Sequence, residues 1–386
     1  MFDLRKIKFV LNKSLNVIAG MTGTVQKKIV FESNHGIHYS CNPRAISEKM
    51  HELYPDYELV WGMKEGWTEK DNLIPDYVKV IPIKSWEYRK QRATAIAYVR
   101  NEAMTVDLVK PKNQLFIQTW HGDRGVKKIL YEAWKDGKRP FPVMDEFLTD
   151  IFVIGSDYAV KRISDAFHYH GKTLKEGCPR NDCLIMPVDP ERIRLKIGVK
   201  EGQKILLYAP TFRQHSKLFK TDVNLHETLN HFKGRDGHEW ICLARAHPKS
   251  GGLEVGIGAN IIDVSGYPDM ADLLMIADAF ITDYSSSSGD FILRKKPLIL
   301  AQFDITQYMN EDRGFHVDYN EMGFLIAKNQ EELNYYIDTM SDEDFAKNCD
   351  RLMDYFSVHE TGHAAEAVCH AIDEHYKKVI EKRNWS

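Results

Sequence analysis

Short apolar runs alternate with amphipathic segments along most of this chain. The clearest example is residues 266–300, where apolar residues at helical spacing begin at Met270 and are followed by the apolar run 279–282. A polar turn, a short helix over 290–294 and a buried-strand run over 297–300 come next. Strands that alternate with helices in this way predict an α/β fold with a parallel sheet.

The same alternation occurs in both halves of the chain. In the first half the pattern predicts strands at 28–33, 57–61, 78–83, 104–109, 114–118 and 151–155, with helices at 42–53 and 86–99. In the second half it predicts strands at 204–209, 240–244 and 260–264 and a long amphipathic helix at 362–382. A turn-rich stretch at 177–182 separates the halves. The pattern therefore predicts two doubly wound, Rossmann-like domains.

Polar residues follow the predicted strands of the second half. The strands that end at 209, 244, 264 and 282 present, at or just after their ends, Thr211 and Arg213, Arg245 and His247, Asp263 and Ser265, and Asp283, Ser285 and Ser286. Because the carboxyl ends of parallel strands meet at one edge of a sheet, these groups are expected to converge there. A nucleoside diphosphate requires cations that bind its phosphate oxygens and hydroxyls that bind the rest of the molecule.

The serine-rich turn at 285–288 has two interpretations. The first N–H groups of a helix lack intrahelical partners, so Ser285 and Ser286 could add hydroxyls to a phosphate site. Alternatively, the serines only cap the helix that follows. Asp283 and Asp290 favour the first interpretation, because neither packing nor capping requires both acids.

One histidine, His121, follows the predicted strand 114–118. A lone histidine at a strand end is more often structural than catalytic. Here His121 is followed by a loop in which Gly122 and Gly125 flank Asp123 and Arg124, so the backbone of this loop can approach a ligand closely. His121 is therefore a candidate for chemistry.

Composition narrows the class of protein. The chain has 386 residues, and 43% of them are hydrophobic, which is enough for a core in each of two domains. The net charge of −3 gives no reason to expect nucleic-acid binding. Six cysteines without CxxC spacing predict neither a disulfide framework nor a zinc ribbon, and favour a reducing compartment. The dinucleotide and P-loop glycine motifs are missing from the sequence.

The first 28 residues are basic and amphipathic. No apolar run is long enough to span a membrane, and no export signal is recognisable. Apolar residues lie between the basic ones, which are Arg5, Lys6, Lys8, Lys13, Lys27 and Lys28. Such a helix suits an anionic membrane surface, but it suits packing on the protein's own surface equally well.

His359 to His363 spell the zinc motif H-E-x-x-H. The context argues against zinc, because Gly362 is unfavourable inside a helix and Thr361 resembles the N-cap of the helix that follows. We therefore predict no metal site.

The chain resembles the CDP-glycerol glycerophosphotransferases of wall teichoic acid and capsule synthesis, over about residues 28–375. Eight stretches in the family's order carry this resemblance. They are Phe31-Glu32-Ser33, Asn42-Pro43-Arg44-Ala45, Thr119-Trp120-His121-Gly122, Gly177 with Arg180 and Asp182, Tyr208 with Thr211 and Arg213, Arg245 with His247-Pro248, Asp283-Tyr284-Ser285-Ser286 with Asp290, and Asp312-Arg313-Gly314-Phe315.

The resemblance implies a two-domain α/β fold of GT-B type, with the C-terminal helix packing back on the N-terminal domain. The implied segments are a membrane-contacting segment at 1–28, an acceptor-side domain at 29–180 and a CDP-donor-binding domain at 181–386. It also implies a CDP-polyol donor, most simply CDP-glycerol, and an undecaprenyl-linked saccharide or polymer acceptor. The implied location is peripheral, on the cytoplasmic face of the membrane. No cofactor is expected.

The resemblance also assigns residues. His121 and His247 are the expected catalytic residues, with His121 as general base for a hydroxyl that attacks the β-phosphorus while CMP leaves. The expected donor-binding residues are Gly122, Asp123, Arg124, Gly125, Arg180, Pro210, Thr211, Arg213, Arg245, Ala246, Asp283, Ser285, Ser286, Asp290 and Arg313. Because these groups can stabilise charge, no metal is required.

Two departures from the family pattern bear on the choice of polyol and acceptor. The loop at 122–127 is one residue longer than the family's form, and Glu321-Met322-Gly323 replaces a Pro-Gly-Pro stretch. Two other functions stay open on the sequence. The chain could be a sugar transferase or epimerase that uses a UDP-sugar, or a non-catalytic scaffold that binds lipid-linked polymer at the membrane.

Overall fold

The computed structural model describes residues 4–21, 25–66, 74–105, 108–133, 143–211, 219–220, 223–246, 253–254, 260–311 and 314–384. The chain forms two compact units. Unit 1 comprises Met1–His121, Trp134–Asp182 and His359–Ser386, and unit 2 comprises Gly122–Ala133 and Cys183–Val358. The units depart from the expected segments in two places, because 122–133 lies with unit 2 and the C-terminal residues lie with unit 1.

The strands in chain order are β1 Gln26–Glu32, β2 Glu58–Met63, β3 Val78–Pro82, β4 Ala95–Arg100, β5 Leu115–Gln118, β6 Ile151–Val153, β7 Lys172–Leu174, β8 Lys204–Tyr208, β9 Phe219–Lys220, β10 Trp240–Ala244, β11 Leu253–Glu254, β12 Ile261–Asp263, β13 Ala279–Thr282, β14 Leu298–Ala301 and β15 Ile326–Ala327.

The helices in chain order are α1 Leu4–Met21, α2 Cys41–Leu53, α3 Trp86–Thr94, α4 Asp145–Leu148, α5 Asp157–Phe167, α6 Asp182–Ile185, α7 Glu191–Ile197, α8 Leu225–Asp236, α9 Met270–Ile276, α10 Ser287–Phe291, α11 Ile305–Glu311, α12 Tyr319–Met322, α13 Gln330–Thr339, α14 Asp342–Phe356 and α15 Ala364–Asn384. Short 3-10 turns occur at Asn34–Gly36, Leu130–Ala133, Pro179–Asn181 and Ile292–Arg294.

Unit 1 is built on a parallel sheet of the described strands in the order β3-β2-β1-β4-β5-β6-β7. Its central strands are buried on both faces. In β1, Ile29 and Phe31 pack in a core that includes α2 and α15, whereas Val30 packs in a second core that includes Tyr88 of α3. Helices on both faces explain why these strands are almost continuously apolar.

The predicted helix over 86–99 is wrong in its second half. Helix α3 ends at Thr94, and Ala95–Arg100 is β4, the strand beside β1. All six residues of β4 are buried, so the strand lacks the alternation that marks a half-exposed strand, and its alanines have high helix propensity. The predicted strand at 104–109 is also not found in the described residues of that stretch, which are irregular.

The N-terminal segment divides into a helix and part of the sheet. Helix α1 ends at Met21, and β1 begins at Gln26. Within β1 the Lys28 side chain is buried and donates hydrogen bonds to the side chains of Gln26 and Thr94. Burial lowers the pKa of Lys28, although Glu58 opposes this effect. Lys28 is therefore part of the framework of unit 1 and not of a basic surface.

Unit 2 is built on a second parallel sheet with the strand order β12-β10-β8-β13-β14-β15 among its described residues. Strand β8 pairs with β10 on one side and with β13 on the other. Leu206, Tyr208, Cys242 and Ile281 from these strands share one core, to which α8, α13 and α14 contribute Phe232, Leu333 and Phe345. The strand at 240–244 has the predicted bounds, and so does β13.

Helix α15 packs on α2 and β4 of unit 1, which confirms the expected return of the C-terminal helix. Its first turn is held by a residue distant in sequence. The Asp182 carboxylate accepts hydrogen bonds from the N–H groups of Ala364 (3.0 Å) and Ala365 (2.8 Å). These N–H groups have no intrahelical partner, and the positive end of the helix favours an acid there.

Residues 359–363, which match the zinc motif, form the segment that leads into α15. Glu360 accepts from the Cys178 N–H (2.9 Å) and from the Asn181 side chain (2.8 Å). His359 pairs with Asp157 (3.0 Å), and Thr361 donates its hydroxyl hydrogen to the Glu176 carbonyl (2.8 Å). The helix begins only at Ala364, so the two histidines do not share a helix face.

We predict that Asp182→Ala destabilises the protein by about 1–3 kcal/mol, because two N–H groups at the start of α15 lose a charged acceptor. Asp182→Asn should have a smaller effect, since the amide retains one acceptor oxygen. Urea unfolding measures both changes. Asp354→Ala, at an exposed position of α14, is the matched control, and an equal loss there would contradict this role for Asp182.

Candidate functional site

Each sheet has a position where the order of strands reverses. In unit 1 the chain runs outward from β1 through β2 to β3 and then returns to β4 on the other side of β1. In unit 2 the same reversal lies between β8 and β13. Ligands of open α/β sheets bind outside the carboxyl ends of the strands at such reversals. The residues after β8 and β13 are Pro210-Thr211 and Asp283 to Ser286, all of which are expected donor-binding positions except Tyr284.

Asp283 joins the two strand ends at the reversal in unit 2. Its carboxylate accepts a hydrogen bond from the Thr211 N–H, at 2.9 Å and 3.1 Å for the two oxygens. The Thr282 hydroxyl donates to the Ala209 carbonyl at 2.6 Å. Asp283 is nearly completely buried. Its carboxylate therefore holds the backbone of the loop after β8 in position through the Thr211 N–H.

The serine turn contains hydroxyls that bond within the turn and one that does not. The hydroxyls of Ser285 and Ser287 hydrogen bond to each other at 2.7 Å, and the Ser288 hydroxyl donates to the Ser285 carbonyl at 2.8 Å. Ser286 precedes α10 but its side chain caps nothing, and within the described residues its half-buried hydroxyl has no partner. Helix α10 has only five residues, so a phosphate here would depend on hydroxyls and nearby N–H groups more than on a long helix dipole.

Arg245 follows β10, the neighbour of β8. Within the described residues its guanidinium contacts the Met270 sulfur at 3.5 Å and makes no ion pair. Burial lowers the pKa of Arg245, while Asp269 and Asp272 oppose this effect. Ala246 donates its N–H to Ser265 at 2.8 Å, so the backbone after β10 is held in place. Arg245 is thus a cation whose hydrogen-bonding capacity is largely unused.

The loop at 122–133 is bound to α10 by Arg124. The Nε of Arg124 donates to the Gly289 carbonyl at 2.6 Å, and Nη2 donates to Asp290 Oδ1 at 3.2 Å. The Arg124 side chain has no exposed surface. A Cβ atom at position 289 would lie 2.6 Å from the Arg124 Cβ, so glycine is required for this approach. Direct donor contact by Arg124 and Asp290 stays a prediction, and their mutual pairing favours a supporting role.

The same loop pairs with the stretch after the expected residue Arg313. Lys127 forms an antiparallel bridge with Phe315, and the His316 N–H donates to the Val126 carbonyl at 3.1 Å. Phe315 lies in an aromatic cluster with Tyr284 and Tyr308, whose rings stack 3.9 Å apart. No sequence pattern indicates this pairing, because the two stretches are remote along the chain.

His121 lies after β5 in unit 1, and one of its ring nitrogens is committed. Nδ1 is 2.7 Å from the Asn101 carbonyl oxygen. A carbonyl only accepts, so Nδ1 carries the hydrogen and Nε2 of the neutral ring retains its lone pair. The burial of the ring lowers the pKa of His121, and Arg180 adds to this effect, against the opposing Asn101 hydrogen bond. Part of the residue is exposed to solvent, so the desolvation of the ring by its neighbours is incomplete.

Asn42 connects three of the resemblance stretches. Its Nδ2 donates to the carbonyls of Thr119 (3.2 Å) and Trp120 (2.9 Å), and its Oδ1 accepts from the Arg180 N–H (3.0 Å). Trp120 has a φ of 48°, a conformation that non-glycine residues rarely adopt. A fixed Asn42 holds this backbone directly before His121. Our sequence-based site did not include Asn42 or Asn101, although the motif at 42–45 was visible.

Several expected residues are placed differently or not at all. Gly122, Asp123 and Gly125 lie with Arg124 in unit 2, whereas His121 and Arg180 lie in unit 1. Arg213, His247 and Arg313 lie outside the described residues. In the part of the chain that the structure describes, no group of three or more histidine, cysteine or acidic side chains is arranged to hold a metal ion.

Comparison with known families gives one match across the chain. A sequence model of the family described as CDP-glycerol:poly(glycerophosphate) glycerophosphotransferase matches residues 16–374. The matched range includes both sheets and all of the expected site residues.

Individual proteins agree with this match. The chain is 30% identical over 370 residues to a teichoic acid glycerol-phosphate transferase of Staphylococcus aureus, covering 89% of this chain and 92% of the relative. It is 29% identical over 385 residues to a teichoic acid poly(glycerol phosphate) polymerase of Bacillus subtilis, covering 93% of this chain. The chain spans 50% of that polymerase's length.

A solved structure extends the likeness to the fold. The wall teichoic acid polymerase TagF superimposes with a TM-score of 0.82 at 26% identity, over 98% of this chain and 99% of that chain. Another structure of TagF, a histidine-to-asparagine variant, was soaked with CDPG and also gives a TM-score of 0.82. The expected two-domain α/β fold of GT-B type is confirmed.

We predict opposite effects of the same substitution at two glycines of unit 2. Gly289→Ala should destabilise the protein by about 1–3 kcal/mol, because the new methyl group collides with Arg124. Gly234→Ala, at an exposed position of α8 with no atom within 4 Å, should stabilise it by up to about 1 kcal/mol. Thermal unfolding measures both. Equal shifts of one sign would show that the Arg124 contact is not tight.

Proposed function

Because this chain belongs to the family of CDP-glycerol:poly(glycerophosphate) glycerophosphotransferases, we propose that it transfers glycerol phosphate from CDP-glycerol to a hydroxyl group of a growing teichoic acid polymer. CMP is the second product. The observation that supports the chemistry best is the arrangement of His121, whose Nδ1–H is held by the Asn101 carbonyl while Nε2 remains a free base.

The proposed reaction is a displacement at phosphorus. The acceptor hydroxyl oxygen attacks the β-phosphorus of CDP-glycerol, and its proton passes to Nε2 of His121. The bond between the β-phosphorus and the bridging oxygen breaks, and CMP leaves with that oxygen. The depressed pKa of His121 keeps the ring neutral near pH 7, as a general base must be.

The donor's diphosphate is proposed to bind at the strand reversal of unit 2. The unpartnered hydroxyl of Ser286, the underused guanidinium of Arg245 and the loop at Pro210-Thr211 follow neighbouring strands of one sheet. Hydrogen-bond donors and positive charge stabilise the developing charge on the leaving CMP. His247, Arg213 and Arg313 are proposed to add to this site on the strength of the family resemblance.

The acceptor is proposed to be lipid-linked, on the undecaprenyl carrier implied by the resemblance, and the enzyme is proposed to act peripherally at the cytoplasmic membrane face. Support comes from α1, whose Val10, Leu11, Val17, Ile18 and Met21 are exposed although they are apolar. An exposed apolar stripe of this kind suits insertion into a membrane interface. Among the described residues, no helix has the length and apolarity needed to cross a bilayer.

The donor is tested by following CMP release with CDP-glycerol, CDP-ribitol and a UDP-sugar in the presence of a lipid-linked acceptor. We expect CMP from CDP-glycerol and no UDP or UMP from the UDP-sugar. Turnover of the UDP-sugar alone would identify a sugar transferase or epimerase. A chain that binds polymer but turns over no donor would be a scaffold.

We predict that His121→Gln lowers kcat by about 10²- to 10⁴-fold, the usual contribution of a general base, while CDP-glycerol binding changes little. The wild-type rate should fall in acid with a midpoint below about 6.5, because His121 must lose its proton and its pKa is depressed. Rate measurements between about pH 5 and 8 test this. Retention of the acid limb in His121→Gln would assign the limb to another group.

His238→Gln is the matched control, because His238 is exposed and lies between the end of α8 and the start of β10, at the edge of the unit 2 sheet opposite the strand ends of the proposed donor site. This variant should keep the wild-type rate and pH profile. If both histidine variants lose activity equally, the loss reports on folding and not on a base.

A further inference from the structure

Unit 1 contains a cavity of about 830 Å³ at the carboxyl ends of β1, β2, β3 and β4. The residues at these strand ends that line it are Glu32, Lys64, Lys84 and Arg100. The cavity therefore includes the reversal between β1 and β4, where an open α/β sheet binds ligands. Helices α1 and α3 close its sides with Asn16 and Arg92 among others.

An ionic network around Glu32, Arg100 and Glu102 lies at one side of the cavity. Glu32 accepts hydrogen bonds from the hydroxyls of Tyr88 and Tyr98, both at 2.9 Å. Arg100 lies 3.4 Å from Glu32 and 3.5 Å from Glu102. Burial alone would raise the pKa of Glu32, but Arg100 and the two hydroxyls overcome it and the pKa is lowered. Glu32 is thus matched by Arg100 and the two hydroxyls, and Glu102 by Arg100 and His35, whose Nδ1 lies 2.6 Å from that acid.

Arg92 is a second guanidinium in this cavity. Its charge adds to the effects that lower the pKa of Glu32, but it is not hydrogen bonded to that acid. Its side chain lines the cavity and the residue is 8% exposed. It lies over the Tyr98 ring at 5.9 Å, yet within the described residues it donates no hydrogen bond and makes no ion pair. An anionic ligand in the cavity would supply the hydrogen-bond acceptors that this guanidinium lacks among the described residues.

The rim adds positive charge. The side chains of Lys64 and Lys84 are exposed and make no ion pair with any described residue. Arg89 lines the cavity as well, and holds α1 by donating to Asn16 (2.6 Å) and Asn12 (2.9 Å). Lys64, Lys84 and Arg89 therefore add three cations to the cavity, besides Arg92 and Arg100.

The cavity also has an apolar part. Leu15, Ile83, Trp86 and Leu108 lie among its lining residues. A small inorganic anion would leave these surfaces wet, whereas a phosphate that carries organic groups on both sides would cover them. Guanidinium groups match phosphate oxygens in geometry as well as in charge.

We propose that this cavity binds a phosphate-diester group, with Arg92 as the buried anchor and Lys64 and Lys84 at the rim. Two sources share this chemistry, namely the glycerol phosphate units of a polymer and the headgroup of an anionic lipid. The proposal concerns unit 1 alone and needs no donor or turnover. Failure of binding here and failure of transfer are therefore separate results.

The test is equilibrium binding of the full chain to two probes without donor. Glycerophosphoglycerol, titrated by calorimetry, represents the polymer, and vesicles of equimolar phosphatidylcholine and phosphatidylglycerol represent the headgroup. We expect Arg92→Gln to weaken binding of at least one probe about tenfold or more, the usual effect of losing a charge-assisted hydrogen bond. If Arg92→Gln weakens binding of only one probe, that probe identifies the source of the phosphate diester, polymer or lipid headgroup.

Arg192→Gln is the matched control, since it removes the same charge from an exposed position of α7 in unit 2. It should leave both affinities unchanged. Equal losses in Arg92→Gln and Arg192→Gln, or no binding of either probe by the wild type, would overturn the proposal.

A second variant covers the possibility that Arg92→Gln unfolds unit 1, which circular dichroism would detect. Lys64→Gln combined with Lys84→Gln changes only exposed side chains, so folding should be unaffected. We expect this double variant to weaken binding about tenfold at low salt and less at high salt, because exposed charges are screened. Wild-type affinity in a folded double variant, together with an unfolded or unaffected Arg92→Gln, would reject the site.

Discussion

The carboxyl edge of a parallel sheet determines where function can lie in this protein. Strands that all run in one direction place their following loops at a single edge, and a reversal of strand order opens a space between two of those loops. Unit 1 has this space between β1 and β4, and unit 2 has it between β8 and β13. His121, Thr211, Arg245, Asp283 and Ser286 all follow one of these strands or a neighbour in the same sheet.

The polar residues at these edges divide into those that complete the framework and those that keep unused capacity. Arg124 and Asp290 satisfy each other, and Asp283 is engaged by the Thr211 N–H. Glu360 and Asn42 likewise form hydrogen bonds with backbone and amide groups within unit 1. By contrast, Nε2 of His121, the Ser286 hydroxyl and the guanidiniums of Arg245 and Arg92 retain capacity for a ligand. Rigid neighbours of this kind are what hold a reactive group in place.

Much of the architecture could be predicted because apolar periodicity reports burial directly. Strands with clear turn signals, such as Trp240–Ala244 and Ala279–Thr282, were predicted with their observed bounds. Ala95–Arg100 was not, because a strand buried on both faces has no alternation and its alanines favour a helix. The strand ends also indicated Thr211, Arg245 and Ser286 as candidates, since parallel topology places such residues at one edge.

The sequence alone determined the two-sheet α/β fold and the family, because apolar spacing and the order of short motifs are properties of the chain itself. Only the tertiary structure decided which motif residues are engaged with one another. Arg124 meets Asp290 across 166 positions, and Asn42 reaches Arg180 across 138. The cavity around Arg92 arises in the same way, from strand ends and helices that are distant along the chain. Contacts of this kind depend on packing and register, which no local pattern of residues encodes.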